Sequence, residues 1–387
     1  MHVLSGICHH LARRPLFSAV TAAATLAISV QASAQQLITF DAPNSGTGVY
    51  QGTAPSGING SGAITGYVID NSNGAHGFVR TPDGRFTNFD VPGADPILGC
   101  TCPMAINDFG VTAGYYIDSN LIQHGFVRYP DGKFATFDAP GAGAVPGSYQ
   151  GTWSAVINNF GVVAGSFDDD NYTNHGYVRT PDGKIATYDD PAGGTAPGQG
   201  TYTYSINDFG VITGAVDDAS NGSHGFLRIP NGKFTDFDFP GEASTTSNSA
   251  FINDRGVIAG SYNAPTTNLA TGFQRSLDGK MTVYEVPGAG SDGSSGLEGT
   301  FVTALNRKGS MAGYIGDANQ EHHSFMRDAN GKITVFDVPG QLAVPGSGLG
   351  SAGEAINDAG VVAGEWHDAN LMAHGFIWIP KHEQPWF

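Results

Sequence analysis

Three features of the 387-residue sequence predict an all-β protein, a seven-bladed β-propeller with four-stranded blades. An Asn-x-x-Gly turn recurs at Asn59, Asn107, Asn158, Asn207, Asn253, Asn306 and Asn357, with spacings of 46 to 53 residues; a period of that size is a supersecondary unit, not a heptad. Each period contains four short apolar runs, and 56 glycines with only 14% charged residues favour strands and tight turns over helices. The last repeat stops without its fourth strand, whereas Gln36 opens QLITFDAP, a fourth strand with no unit in front of it. Pairing that N-terminal strand with the last unit completes the last blade and closes the ring, leaving no open sheet end.

The segment Ala105 to Gly141 shows the elements in order. A first strand leads into Ile106, and Asn107, Asp108, Phe109 and Gly110 reverse the chain, the Gly serving a turn position that wants positive φ. The second strand, VTAGYY, carries a Gly repeated as Gly66, Gly114, Gly165, Gly214, Gly260, Gly313 and Gly364. A Gly kept inside a strand predicts close backbone approach, here assigned to neighbouring units. Asp70, Asp118, Asp169, Asp218, Asp317 and Asp368 follow that Gly by four residues and open a polar turn; Ala264 is the exception. The third strand reads HGFVR, and PDGK turns it into the fourth, FATFDAP. A two-residue loop at Asp131 and Gly132 would place Phe126 opposite Phe137, Phe78 opposite Phe89 and Phe226 opposite Phe237.

The strings IND-x-G-V, A-G, HGF and FD-x-PG resemble the bacterial extracellular HAF-repeat proteins, with Gly in the middle of the family's His-Ala-Phe, over nearly all of Leu37 to Trp378. The resemblance implies an exported repeat protein of β-propeller type and no particular activity. Residues 1–34 read as a signal peptide: Arg13 and Arg14, an apolar run from Leu16 to Val30, then Ala32, Ser33 and Ala34 as a small-residue cleavage site. Residues 35–387 then form a single propeller domain, secreted or periplasmic in a bacterium and expected to be a monomer. Loss of the two arginines takes the formal charge from −17 to −19, which argues against nucleic-acid partners. No later stretch is apolar for long enough to span a bilayer as a helix. Cys100 and Cys102 form either a small disulfide, two loop thiols or, with Met104, a soft metal site.

Repetition within one chain separates scaffold from site. His76, His124, His175, His224, His323 and His374 open the third strand, and Arg80, Arg128, Arg179, Arg228, Arg275 and Arg327 close it; both sets are expected to be structural, the histidines bonding Asp or backbone within a blade. The hydroxyls Thr53, Thr101, Thr152, Thr201, Ser247, Thr300 and Ser351 recur likewise and are also assigned to the scaffold. Residues that vary between copies, on the longer and more acidic face of connectors, are the candidates for a ligand site. These are Trp153, Tyr202, Tyr204, Phe301, Glu354, Trp366 and His367, with aromatic rings suited to stacking on a sugar or another planar apolar ligand. No nucleophile elbow, phosphate loop, HExxH or clustered Cys/His set is present, so no catalytic residue and no metal ligand is assigned. No cofactor is expected; calcium on the acidic turns is the one ion their oxygens would suit.

The expected function is a non-enzymatic propeller that binds a carbohydrate or protein on its loop-bearing face. The alternatives are a polysaccharide lyase or glycoside hydrolase at the channel mouth, where a carboxylate and a His would serve as acid and base, and a structural protein of the envelope.

Overall fold

The computed structural model describes residues 36–96, 100–153, 155–239, 246–264 and 267–381, with the side chains of 246–248 left out. The expected signal peptide and the Ser247 side chain therefore fall outside what is described. Among the described residues the only helical piece is a 3-10 turn at Gly293–Ser295, and no helix is long and apolar enough to cross a membrane.

The chain is all-β and propeller-like: meanders of antiparallel strands follow one another along the sequence. The second unit comprises Thr101–Ile106, Thr112–Ile117, Gln123–Arg128 and Phe134–Phe137, each paired with the next. In the third unit the first strand is described in two pieces, Gly151–Thr152 and Val156–Ile157. The last unit supplies Ser351–Ile356, Val362–His367 and Ala373–Ile379, and the N-terminal strand Gln36–Phe40 lies antiparallel to the third of these, from Gln36↔Ile379 to Phe40↔Gly375. Successive units are stitched by single parallel contacts such as Gln123↔Gly151 and Ala270↔Gly299, so the strands count as three sheets of 8, 13 and 8. Gly151 is required at its stitch: its φ is +123° and a Cβ there would lie 2.2 Å from the Gln123 carbonyl oxygen.

The recurrent Asn does more than turn the chain. Each Nδ2 donates to the backbone carbonyl of the next unit's Asn: Asn59 to Asn107, on through Asn158, Asn207, Asn253 and Asn306 to Asn357, and from Asn357 back to Asn59, at 2.8 to 3.3 Å. Each Oδ1 meanwhile accepts from backbone N–H groups of its own turn, as Asn158 does from Phe160 and Val162 at 3.0 Å. The connector hydroxyls also join units: Thr53, Thr101, Thr152, Thr201 and Thr300 accept from Ala42, Val91, Ala139, Asp190 and Val286 N–H at 2.8 to 3.2 Å.

Two expectations of register and packing are corrected. Phe126 lies opposite Thr136, and Phe137 lies opposite Gly125, because the turn spans Tyr129 to Lys133 instead of two residues. A one-residue slip sends the two rings to opposite faces of the sheet, and Phe137 covers the side-chain-free Gly125, where a Cβ would meet its ring at 2.4 Å. Within the unit Phe126 meets Phe134 at 6.2 Å, while Phe89 and Phe137 reach the next unit, Phe89 meeting Phe126 at 6.3 Å and Phe137 meeting Tyr177 at 5.7 Å. The second-strand Gly serves its own unit and not a neighbour, since a Cβ on Gly66 would lie 2.2 Å from the Ala54 carbonyl oxygen. The recurring arginines lie over the preceding unit's fourth-strand ring, Arg128 over Phe89 at 4.6 Å and Arg228 over Tyr188 at 4.4 Å. In the last unit Trp378 takes the Arg position and stacks on Phe336 at 4.8 Å and 7°. Cys100 and Cys102 form a disulfide, buried with Tyr115 and Ile117, and Met104 packs against the same cluster.

Candidate functional site

The repeated histidines form scaffold contacts, as their recurrence implied. In six units the His Nδ1 meets the Asp that follows the fourth strand, at 2.6 to 2.7 Å. In the last unit that partner is Asp41 of the N-terminal strand, 2.7 Å from His374. The Asp138 carboxylate raises His124 above its ordinary value against the opposing pull of burial. The acidic turns are Asx turns: Asp70 Oδ1 accepts from Ser72 and Gly74 N–H at 2.7 and 2.9 Å. Unit 5 replaces all three members, with Ala264, Thr271 and Glu285, so the set is kept or lost together.

What differs between units gathers chiefly where units 6 and 7 meet. Phe301 and Tyr314 sit opposite each other on adjacent strands and stack at 4.8 Å and 13°, and Tyr314 meets His322 at 4.5 Å. The face that carries Tyr314 looks at the first strand of the following unit: at the equivalent position Ser166 Oγ accepts from Thr203 N–H at 2.7 Å. For Tyr314 that strand carries Glu354. Burial pushes the Glu354 carboxyl up to about 8, and Glu365 nearby adds to the effect; Glu354 is therefore mostly a protonated acid at neutral pH. Burial, then Glu354 and Glu365, raise the Tyr314 hydroxyl. His322 is pushed down to about 4 by burial, helped by His367 and His323, and stays neutral. Glu354 occupies a position filled elsewhere by Ser56, Met104, Ala155, Tyr204, Ala250 and Thr303.

A second group joins units 3 and 4. Trp153 and Tyr202 lie 6.5 Å apart, but Tyr202 is only 2% exposed and its hydroxyl accepts from Asn174 Nδ2 at 2.6 Å and donates to the Gly198 carbonyl at 2.7 Å. Burial lifts Asp168 to about 6, with the Trp153 indole drawing it back. Tyr204 packs against the core of unit 5. Trp366 stacks on its own unit's His374 at 4.4 Å, as Tyr116 does on His124 and Phe167 on His175 at 4.9 Å. The seven sequence candidates thus divide: Phe301, Glu354 and His367 share one wall, Trp153 and Tyr202 another, and Tyr204 and Trp366 belong to packing.

Sequence reasoning passed over the opposite mouth. There the Asn-x-x-Gly turns surround an open depression. Arg307 reaches into it and pairs with Asp108, Asp254, Asp358 and Asp208 at 2.7, 3.2, 3.6 and 3.9 Å. Asn159 Nδ2 bridges Asp108 and Asp208 at 3.1 and 3.0 Å. The signal was available, since the residue after each recurrent Asn is Gly60, Asp108, Asn159, Asp208, Asp254, Arg307 or Asp358, and one cation stands among acids.

No family model matches the chain, and no curated protein matches it. Among solved structures it is similar to virginiamycin B lyase from Staphylococcus aureus, at 13% identity and a TM-score of 0.55, over 89% of this chain and 99% of that one. It is also similar to the BP39L lectin from Burkholderia pseudomallei, at 7% identity and a TM-score of 0.54, over 86% and 99% of the two chains. A puromycin hydrolase mutant complexed with PGG matches at 12% identity and a TM-score of 0.52, over 81% of this chain and half of its own. These similarities put the chain among β-propeller folds, which serve lectins, lyases and hydrolases alike, and at such identities they speak for the fold alone.

Proposed function

We propose that the chain is an exported, closed propeller of seven four-stranded blades that binds a carbohydrate ring, without transforming it, against the wall where units 6 and 7 meet. Closure is supported by the Asn-to-Asn hydrogen bonds that return from Asn357 to Asn59 and by the pairing of Gln36–Phe40 with Ala373–Ile379. Export rests on the pattern of residues 1–34, and a disulfide at Cys100 and Cys102 suits an oxidising compartment. The binding reading is carried by one observation: the Phe301–Tyr314 stack is flanked by Glu354, Glu365, His322 and His367 at positions that vary from unit to unit. A sugar offers C–H faces to aromatic rings and hydroxyls to carboxyl and imidazole groups, and this wall supplies both partners. The likeness in fold to the BP39L lectin supports a carbohydrate-binding reading.

Calorimetry of residues 35–387 against a polysaccharide and oligosaccharide panel tests the reading. F301A and E365Q are expected to weaken binding by about tenfold or more, and unchanged binding in both variants would refute the site. A second reading, lyase or hydrolase, is favoured by one feature: a protonated Glu354 beside Glu365 is an acid paired with a second carboxyl group. Reducing-end or unsaturated-product release from the same panel, lost in E354Q, would establish turnover in place of simple binding.

A further inference from the structure

We infer that Asp317, Glu321 and His323 form a binding site for one divalent transition-metal ion of the zinc type, held by two carboxylates and one imidazole. The ligand atoms of the three residues all lie within 4.8 Å of one another. A zinc ion with bonds of about 2.1 Å keeps its ligands about 3.4 Å apart in tetrahedral geometry. His323 Nε2 and Asp317 Oδ2 are already 3.7 Å apart, too far for a hydrogen bond and close to the span of a shared ion. Glu321 is half-buried, and its carboxylate already lies within 4.8 Å of the other two ligand atoms.

The imidazole is prepared as a ligand. His323 Nδ1 lies 2.6 Å from Asp337 Oδ1, so the ring donates there and turns the Nε2 lone pair toward Asp317, as carboxylate–histidine–metal arrangements require. Asp317 is fixed in turn: its Oδ1 accepts from Asn319 and Glu321 N–H at 2.8 and 2.9 Å, which leaves Oδ2 facing the ring. The repeats supply an internal control. The His with an Asp on each side occurs in five other units, where the position of Glu321 is held by Gly74, Ile122, Thr173, Gly222 and Met372; unit 5, which lacks that set, has Leu269 there. Only unit 6 adds a third ligand, so Glu321 is not part of what builds a blade. It places three carboxylates, Asp317, Glu321 and Asp337, around one imidazole. A divalent cation would offset the like charge of those three carboxylates. With three protein ligands, one or more coordination positions remain open to water or to a polar ligand.

The test is zinc chloride titrated into metal-stripped residues 35–387, read by competition with a chromogenic chelator. Wild type is expected to bind one equivalent. E321M, which copies the residue of unit 7, removes a ligand without disturbing the core and should abolish that equivalent, with the thermal midpoint in chelator unchanged. D337N should weaken binding by about tenfold to a hundredfold through the imidazole, whereas D138N, its counterpart in unit 2, should leave it as it is. Absence of a saturable single equivalent would overturn the assignment. So would wild-type binding by E321M, which would transfer the ion to the repeated His–Asp pairs.

Discussion

Replacement of Asn158 separates the two roles of the recurrent Asn. The side chain is 5% exposed and makes three hydrogen bonds: Nδ2 to the Asn207 carbonyl at 3.1 Å, and Oδ1 from Phe160 and Val162 N–H at 3.0 Å. At about 1 kcal/mol each, with buried partners left unpaired, N158A should cost about 3 to 4 kcal/mol. N158D keeps the two acceptor bonds but cannot donate while ionised, and it turns a carboxylate toward a carbonyl oxygen. Its cost at pH 7 should be about 2 to 4 kcal/mol, shrinking below about pH 4, where the protonated acid again has a donor. The assay is urea unfolding, read as a shift of midpoint at constant slope. N158D as stable as wild type at pH 7, or N158A within about 0.5 kcal/mol of it, would refute the inter-unit role. N357A extends the test to the junction with Asn59, 3.3 Å away; in an open array it would lose only its turn bonds and cost about 1 kcal/mol less than N158A.

Glu354 and Asp190 give predictions of opposite sign to the usual acid. Asp190, 2% exposed, is pushed up to about 6 by burial, with Asp236 adding, and Glu354 to about 8. A carboxyl whose folded value is raised binds more protons folded than unfolded, so its contribution to stability is full below the unfolded value and falls as pH rises toward the folded one. E354Q should therefore be neutral near pH 4 and stabilising by at least about 1 kcal/mol at pH 8; D190N should gain about 1 to 3 kcal/mol by pH 7. Denaturant midpoints across pH 4 to 9 check both, and a flat profile would contradict the burial of these acids. R307A leaves Asp108, Asp208, Asp254 and Asp358 without their shared cation. Because Arg307 is 44% exposed, the expected loss is about 1 kcal/mol or less at low salt, vanishing in 1 M NaCl. W153A should leave sugar binding intact if units 6 and 7 carry the site, so a loss there matching that of F301A would move the site to units 3 and 4.

The periodic part of the fold was legible because each unit must solve the same problem. The spacing of Asn107 and its copies and the extra fourth-strand motif at Gln36 point to the pairing that Phe40 and Gly375 make. The recurring His and Asp residues make the contacts within a unit that their repetition suggested, and His374 finds its Asp at the far end of the chain. Register was not legible. Whether Phe137 faces Phe126 or Gly125 depends on one residue in the turn, and both options bury a ring; only the empty space over Gly125 decides. Packing between units was missed for a related reason: strand alternation speaks of one sheet, while Phe137 on Tyr177 and Arg128 on Phe89 lie between sheets.

For the candidate site, departure from the repeat was the signal used, and it was applied to one end of the units alone. On the connectors it picked out Phe301, Glu354 and His367, which the structure brings together, and also Trp366, whose stacking on His374 repeats that of Tyr116 on His124. A large aromatic looks singular in sequence when its equivalents are merely other apolar residues; a charge does not share that ambiguity, because its solvation must be replaced wherever it is buried. Applied to charge, the same comparison isolates Arg307 among the turn acids and Glu321 beside an otherwise common His–Asp set. In a repeat protein, then, a charge that appears in one unit only is the stronger mark of function, and the Glu321 and Arg307 variants put that rule to the test on opposite sides of the same unit.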